Sequence, residues 1–163
     1  MSMPYLTVSD VRARAVVSPL ARPIRTAISA IPSAPLVLID VTTKEGVVGS
    51  AYIFAYTPAA LPALCRLVVD IGAELTGQPV APRDIMRRFD RRFRLLGWQG
   101  LVGMAVSGLD MALWDALGRA AEKPVVQILG GTPRPLEAYD SFGVIDLKSD
   151  AEALAASVAS DTP

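Results

Sequence analysis

The chain has 163 residues, 52% of them hydrophobic, which is typical of one globular domain with a substantial core. Its 16 Lys and Arg residues balance its 16 Asp and Glu residues, so no net charge favours binding to nucleic acid or to an anionic membrane. Histidine is absent, which excludes Ser–His and Cys–His nucleophile pairs and histidine-bound zinc within this sequence.

The single cysteine, Cys65, has no partner for an internal disulfide. It falls on the apolar side of a predicted helix, where a free cysteine is typically a small core residue rather than a nucleophile. The N-terminus lacks the apolar core of a signal peptide, and no apolar run approaches the ~18 residues of a membrane span. We therefore expect a cytoplasmic protein.

The N-terminal third of the chain predicts a three-stranded antiparallel meander. Apolar and charged residues alternate along residues 7–17, with the period of two that a half-buried strand shows. Runs rich in β-favouring residues occupy 36–42 and 47–54, and the turn between them contains Gly46. Gly49, inside the last of these runs, indicates a bulge or a close backbone contact.

Between the first two strands, residues 20–35 predict a loop. This segment contains Pro23, Pro32 and Pro35 and has no sustained periodicity. It also carries isoleucines at an apolar tip, and these either tuck under the domain's own sheet or cover a partner surface.

Three helices are predicted after the meander. The first occupies 60–75 and begins near Leu61, and the second occupies 82–96. The third ends near Ala121, before Lys123 and Pro124, and small residues dominate its buried stripe. The stripe has helical spacing and consists of Leu101, Ala105, Gly108, Leu109, Ala112, Leu113, Ala116 and Leu117.

Two charged patterns on these helices have structural interpretations. The arginines of the second helix alternate with Asp84 and Asp90 and lack interleaved aromatic residues, which favours a solvated or subunit-facing surface over a nucleic-acid site. On the third helix, Asp110 and Asp115 are turned about 140° from one another, so they cannot converge on one substrate atom. We interpret them as helix anchors.

The remaining residues predict one strand–loop–helix unit. Alternation over 136–141 indicates a strand, and Ser149 with Glu152 forms a capping box at the start of a helix over 150–159.

Three segments carry a resemblance to a known family. SGLDMALWDALGRAAEKPVVQILGG, APLVLIDVTTKEGVVGSAYIFAYTP and PLEAYDS resemble the capping domain of the mandelate racemase/muconate lactonizing enzyme family, in the enolase superfamily. The resemblance implies an α+β fold with an enolase-type N-terminal capping domain, a meander followed by a helical bundle, over 1–133. It further implies the first strand and helix of a truncated (β/α) barrel over 134–163.

The resemblance also implies a substrate-binding set. Residues of the first long loop, aromatic residues at a strand end and one further apolar residue match the groups that close over the substrate, and one barrel residue matches a group that holds the substrate carboxylate. In that order these residues are Ile24, Thr26 and Ile31, then Phe54 and Tyr56, then Leu95, and finally Ser141.

The implied reaction is the racemisation of a 2-hydroxy acid by an isomerase. In the family, Mg²⁺ stabilises the enediolate that forms when the proton next to the carboxylate is removed, and barrel residues supply the bases. Lys44, Lys123 and Lys148 do not match the family's Lys-x-Lys pattern, and a complete barrel needs ~250 residues. We therefore expect no catalytic residue and no metal ligand in this chain, which should be inactive without a C-terminal barrel half.

Alternatives remain within and outside this chemistry. Related enzymes with the same cap dehydrate sugar acids or form lactones by cycloisomerisation, and a noncatalytic truncated domain could self-associate. The apolar residues of the implied site favour a small carboxylic acid with an aryl or other apolar group, although Arg25 beside them leaves a different acid open. We expect a homo-oligomer that binds neither nucleic acid nor a membrane.

Overall fold

A computed structural model describes residues 5–25 and 30–138 of the chain. Its elements are an antiparallel sheet followed by helices, which confirms the predicted α+β capping-domain fold. The strands follow one another in the sheet in the order β1-β2-β3. The elements are β1 (Val8–Arg25), β2 (Ala30–Thr43), β3 (Val48–Phe54), a 3₁₀ turn (Pro58–Ala60), α1 (Leu61–Ala73), α2 (Pro82–Arg92), α3 (Leu101–Ala121) and α4 (Val125–Ile128).

The described residues divide into two compact units. The first unit contains residues 5–18 and 34–135, and therefore β3, the described helices, the start of β1 and the part of β2 from Ala34 onwards. The second unit contains Pro19–Ser33, where the far ends of β1 and β2 lie.

The β2–β3 ladder fixes which residues face the helices. It runs from the pair Leu36↔Phe54 to the pair Thr42↔Val48. Side chains alternate between the two faces of a strand, and Val37, Ile39 and Val41 are buried with at most 1% of their surface exposed. These residues form the sheet side of the core, which α1 and α3 complete.

The prediction of a loop over 20–35 is wrong for the described residues, because 20–25 belong to β1 and 30–35 belong to β2. Proline was interpreted as a strand breaker, but it lacks only the N–H that a neighbouring strand would bind. β1 is an edge strand, and β2 pairs with β3 only from Leu36 onwards. Pro23 and Pro32 therefore lie where a strand has one neighbour, the place where a sheet tolerates proline.

α3 packs directly on the backbone of the sheet. A Cβ atom on Gly49 would overlap the carbonyl oxygen of Ala112 and lie 2.6 Å from the backbone nitrogen of Ala116. A Cβ atom on Gly108 would lie 2.5 Å from Ile39 Cδ1. The prediction of a close backbone contact at Gly49 is confirmed, and the predicted stripe of α3 is buried apart from Leu101, which is 37% exposed.

α2 is shorter than predicted. It ends at Arg92, before the predicted end at residue 96, and Leu96 is 71% exposed. The N–H of Gly97 donates to the carbonyl of Phe93 at 2.7 Å, and Gly97 has a φ of 89°. A positive φ suits glycine, so the chain turns away from the direction of α2 at Gly97. Phe93 is the last buried residue before this turn.

Asp115 anchors α3 to the edge of the sheet, as predicted. Its Oδ2 accepts the backbone N–H of Ser50 at 2.8 Å and the Nε–H of Arg119 at 2.7 Å. In an antiparallel ladder, alternate N–H groups of an edge strand point away from the neighbouring strand. Asp115 satisfies one of these otherwise open edge donors on β3.

Asp110 is bound differently. The side chain of Trp114 donates to it, but its Oδ1 is buried and has no hydrogen-bond partner among the described residues. Burial raises the pKa of this carboxyl above its ordinary value, and the bond from Trp114 opposes that shift only in part.

Within the described residues, α3 is long and apolar enough to cross a membrane, and 50% of its most apolar window is buried inside the protein. Core helices share this length and composition, and the contacts of α3 with the sheet show that it is the core helix of this domain.

We expect Gly49→Ala to lower the free energy of unfolding by about 2–3 kcal/mol, because the added methyl group overlaps the backbone of α3. The control is Gly46→Ala in the β2–β3 turn, where nothing lies within 4 Å of an added Cβ. That change should cost only the ~1 kcal/mol of a left-handed backbone. Urea denaturation measures both, and an equal or smaller loss for Gly49→Ala would contradict the described contact.

Asp110 gives a pH-dependent prediction. Because its pKa is higher in the folded protein than the ~3.9 of an unfolded aspartate, the folded state binds this proton more tightly. Its contribution to stability should fall as pH rises through the folded pKa and be restored as pH falls toward the unfolded pKa. Relative to Asp110→Asn, the unchanged protein should therefore gain stability as pH falls from about 7 to about 4.

Urea midpoints at a series of pH values measure this difference. Ser107→Ala, an uncharged change on the same helix, gives the baseline. If the stability difference between Asp110→Asn and the unchanged protein stays constant with pH, the raised pKa of Asp110 in the folded protein is refuted.

Candidate functional site

The junction between β3 and the helices holds a strained turn. The N–H of Thr57 donates to the carbonyl of Ala55 at 2.6 Å, which closes a three-residue turn around Tyr56. Tyr56 has a φ of 59°, a value that costs a residue with a side chain ~1–2 kcal/mol. Strain of this kind concentrates at binding and catalytic sites.

The turn places two aromatic rings side by side. The ring centroids of Phe54 and Tyr56 are 4.8 Å apart with an interplanar angle of 64°, an edge-to-face contact. Phe54 is half-buried, whereas Tyr56 is 69% exposed. The strained turn thus holds a large apolar ring at the surface.

These rings border an open cavity of about 540 Å³ between the end of β3 and the start of α3, which we call the aromatic cavity. Among the described residues that line it, none is charged. They are Tyr52, Ile53, Phe54, Tyr56, Trp98, Gly100, Gly103, Met104, Ser107 and Met111. A cavity of this size and lining suits an apolar group of a small molecule.

The cavity exists because glycines, which have no side chains, lie at the start of α3. Gly100, with a φ of 68°, precedes the helix, and Gly103 lies in its first turn. A Cβ atom on Gly103 would overlap the carbonyl oxygen of Trp98, so the loop before α3 rests on the helix backbone. The Trp98 indole N–H donates to Asp90 Oδ1 on α2 at 3.1 Å, which fixes the other end of that residue.

Only some of the site residues expected from the family pattern line the aromatic cavity. Phe54 and Tyr56 lie together in the aromatic cavity. Leu95 is 102% exposed in the turn after α2 and does not line that cavity. In the second unit, Ile24 on β1 is 39% exposed and Ile31 on β2 is half-buried.

Thr26 and Ser141 lie outside the described residues, as does most of the predicted barrel strand. Residues 136–138 are the described part of that strand, and they have no regular secondary structure. The predicted helix over 150–159 is likewise outside the described part of the chain.

Sequence reasoning missed several lining residues. Tyr52 lies two residues before Phe54 and therefore on the same face of β3. Met104 and Met111 are separated by two helical turns and lie off the buried stripe of α3. These spacings were visible, whereas nothing in the local sequence of Trp98 indicates its hydrogen bond to α2.

The described residues offer binding groups rather than acid–base groups at this site. Within 5–25 and 30–138, no group of three or more Asp, Glu, Cys or His residues could hold a metal ion, so these residues do not fit a magnesium site. Cys65 is half-buried on α1, and burial raises the pKa of its thiol. A thiol with a raised pKa is protonated and a poor nucleophile, as the sequence predicted.

Comparison with known proteins gives relatives for most of the chain. The chain is 29% identical over 126 residues to arabinonate dehydratase of Saccharolobus solfataricus, covering 73% of this chain and 32% of that protein. It is 32% identical over 120 residues to L-rhamnonate dehydratase of Saccharopolyspora erythraea, covering 69% of this chain and 28% of that protein. The chain thus spans about a third of the length of these relatives.

A crystal structure of an enolase from Bradyrhizobium, complexed with magnesium and mandelic acid, is 58% identical and superposes with a TM-score of 0.86. The match covers 94% of this chain and 42% of that one. The family profile described as mandelate racemase/muconate lactonizing enzyme, N-terminal domain, matches residues 8–130. The chain therefore belongs to this N-terminal domain family of the enolase superfamily.

Proposed function

We propose that the aromatic cavity is the substrate-covering wall of an isomerase that racemises a 2-hydroxy acid with an aryl or other apolar group. The observation that carries this proposal is the uncharged cavity in which a strained turn holds Tyr56 against Phe54. The Bradyrhizobium relative supports it, since mandelic acid, found in that structure, combines a carboxylate with an aryl group.

In this proposal the chain binds the substrate and does not perform the chemistry. Racemisation removes the proton next to the carboxylate and returns a proton to the other face. The aromatic cavity would hold the apolar end of the acid and exclude water around it, so that this carbon keeps one position relative to the bases. The bases and the metal ligands would lie in a C-terminal barrel half.

The other predicted substrate-binding residues remain part of the proposal. Ile24, Thr26 and Ile31 would contact the apolar group of the substrate, Leu95 would add a further contact, and Ser141 would hold the carboxylate. Domain boundaries at 1–133 and 134–163, a homo-oligomeric assembly and a cytoplasmic location also stay predictions.

Dehydration of a sugar acid is the second candidate, because both relatives in the sequence comparison are named as dehydratases. A polyhydroxylated substrate needs hydrogen-bond partners for its hydroxyl groups. The described lining of the aromatic cavity offers the hydroxyl groups of Tyr52, Tyr56 and Ser107, and the last of these already donates to the carbonyl of Gly103 at 2.7 Å, whereas most of the lining is apolar. The lining therefore favours the racemase over the dehydratase.

Tyr56 tests this choice. In the chain supplied with the barrel half of the Bradyrhizobium relative, we expect Tyr56→Ala to raise KM for mandelate about tenfold, since losing a ring contact of ~1.4 kcal/mol weakens binding by that factor. The matched control is Cys65→Ala on α1, outside the cavity, which should leave KM unchanged. Polarimetry follows racemisation of mandelate, and a parallel assay follows dehydration of arabinonate.

A further variant separates the ring from the backbone. Tyr56→Gly removes the ring but relieves the positive φ, so it should raise KM as Tyr56→Ala does while folding more stably. Equal effects of Tyr56→Ala and Cys65→Ala would rule out the cavity assignment. Faster dehydration of arabinonate than racemisation of mandelate would favour the dehydratase.

A further inference from the structure

Trp98 separates the aromatic cavity from a second depression on the surface of the first unit. That neighbouring groove runs along α2 and is lined by Met86, Arg87, Asp90, Arg91 and Trp98. Trp98 thus forms part of both walls; the other residues of the groove belong to α2, and those of the aromatic cavity belong to β3, the turn after it and α3 with Gly100 before it.

The position of Trp98 is fixed at two points. Its carbonyl oxygen lies against the Cα of Gly103 on α3, where a Cβ atom would overlap it. Its indole N–H donates to Asp90 Oδ1 on α2 at 3.1 Å. The described hydrogen bonds of the nearby arginines go elsewhere, from Arg87 to Asp84 and from Arg91 to the carbonyl of Arg87.

The hydrogen bond decides which part of the indole the cavity meets. Because the N–H is bound to Asp90 on the α2 side, it cannot also donate to a hydroxyl group in the aromatic cavity. Where the indole faces the cavity it therefore presents its carbon surface, in the same lining as Phe54 and Tyr56. Such a surface attracts flat apolar groups and offers no hydrogen-bond donor to the hydroxyl groups of a polyol.

We infer that Trp98 is a specificity-determining residue that selects acids with a flat apolar group, and that Asp90 is the positioning residue that holds its indole. This inference rests on the proposed function, because it assigns the apolar end of the substrate to the aromatic cavity. It adds an aromatic contact and a link from α2 that the family pattern in the sequence did not include.

Titration of the ¹⁵N-labelled chain tests the contact with Trp98. The chain has two tryptophans, so its spectrum contains two indole N–H signals, which Trp98→Phe assigns. We expect mandelate to shift the Trp98 signal in a saturable way, while the signal of Trp114, outside the cavity, stays in place. Arabinonate at the same concentration should shift neither signal.

Variants of Asp90 test the positioning role. We expect Asp90→Ala to weaken mandelate binding about three- to tenfold, the factor that corresponds to the loss of one hydrogen bond. Asp90→Asn keeps an acceptor oxygen and should stay within about twofold of the unchanged chain. Trp98→Leu should lower the preference for mandelate over arabinonate, and Trp114→Phe is the matched control that should not.

The outcomes distinguish this inference from the proposed function. If mandelate shifts the signals of Phe54 and Tyr56 but leaves that of Trp98 unchanged, the inference is overturned while the proposed function stands. If mandelate shifts none of these signals, both are overturned. If Asp90→Asn and Asp90→Ala weaken mandelate binding equally, the positioning role of Asp90 is refuted. This comparison can be made even if Trp98→Leu fails to fold.

Discussion

The contact between the backbone of α3 and the backbone of the sheet determines where the other parts of the first unit lie. Gly49 and Gly108 lack the Cβ atoms that would separate the two layers. This approach brings Asp115 within 2.8 Å of the Ser50 N–H and thereby satisfies an edge donor of β3. Because the C-terminal half of α3 is fixed against Gly49, its glycine-containing start lies near the end of β3, where the aromatic cavity opens.

Two residues with a positive φ shape the cavity. The positive φ of Tyr56 turns its ring beside that of Phe54, and the positive φ of Gly100 brings Trp98 onto the first turn of α3. The conformation of Tyr56 is not needed to bury the core, since this side chain is 69% exposed. Strain at an exposed aromatic residue is typical of a binding site, which agrees with the proposed role of this chain in binding rather than in proton transfer.

The sequence predicted the helices and strands in which buried residues recur at regular spacing. The stripe of α3 and the alternation along the strands reflect burial on one face, so periodicity identified them. The loop over 20–35 was predicted wrongly, because whether proline breaks a strand depends on the number of neighbouring strands. At the site, Phe54 and Tyr56 came from the family pattern. Trp98 was missed because its hydrogen bond to Asp90 forms only in the folded chain.

In the proposed function, the aromatic cavity of this chain binds the substrate and the bases lie in a C-terminal barrel half. The most direct test is racemisation of mandelate by the pure 163-residue chain, alone and mixed with the barrel half of the Bradyrhizobium relative. We expect no turnover by the pure chain and measurable turnover by the mixture. Turnover by the pure chain, at a rate that further purification does not lower, would contradict it.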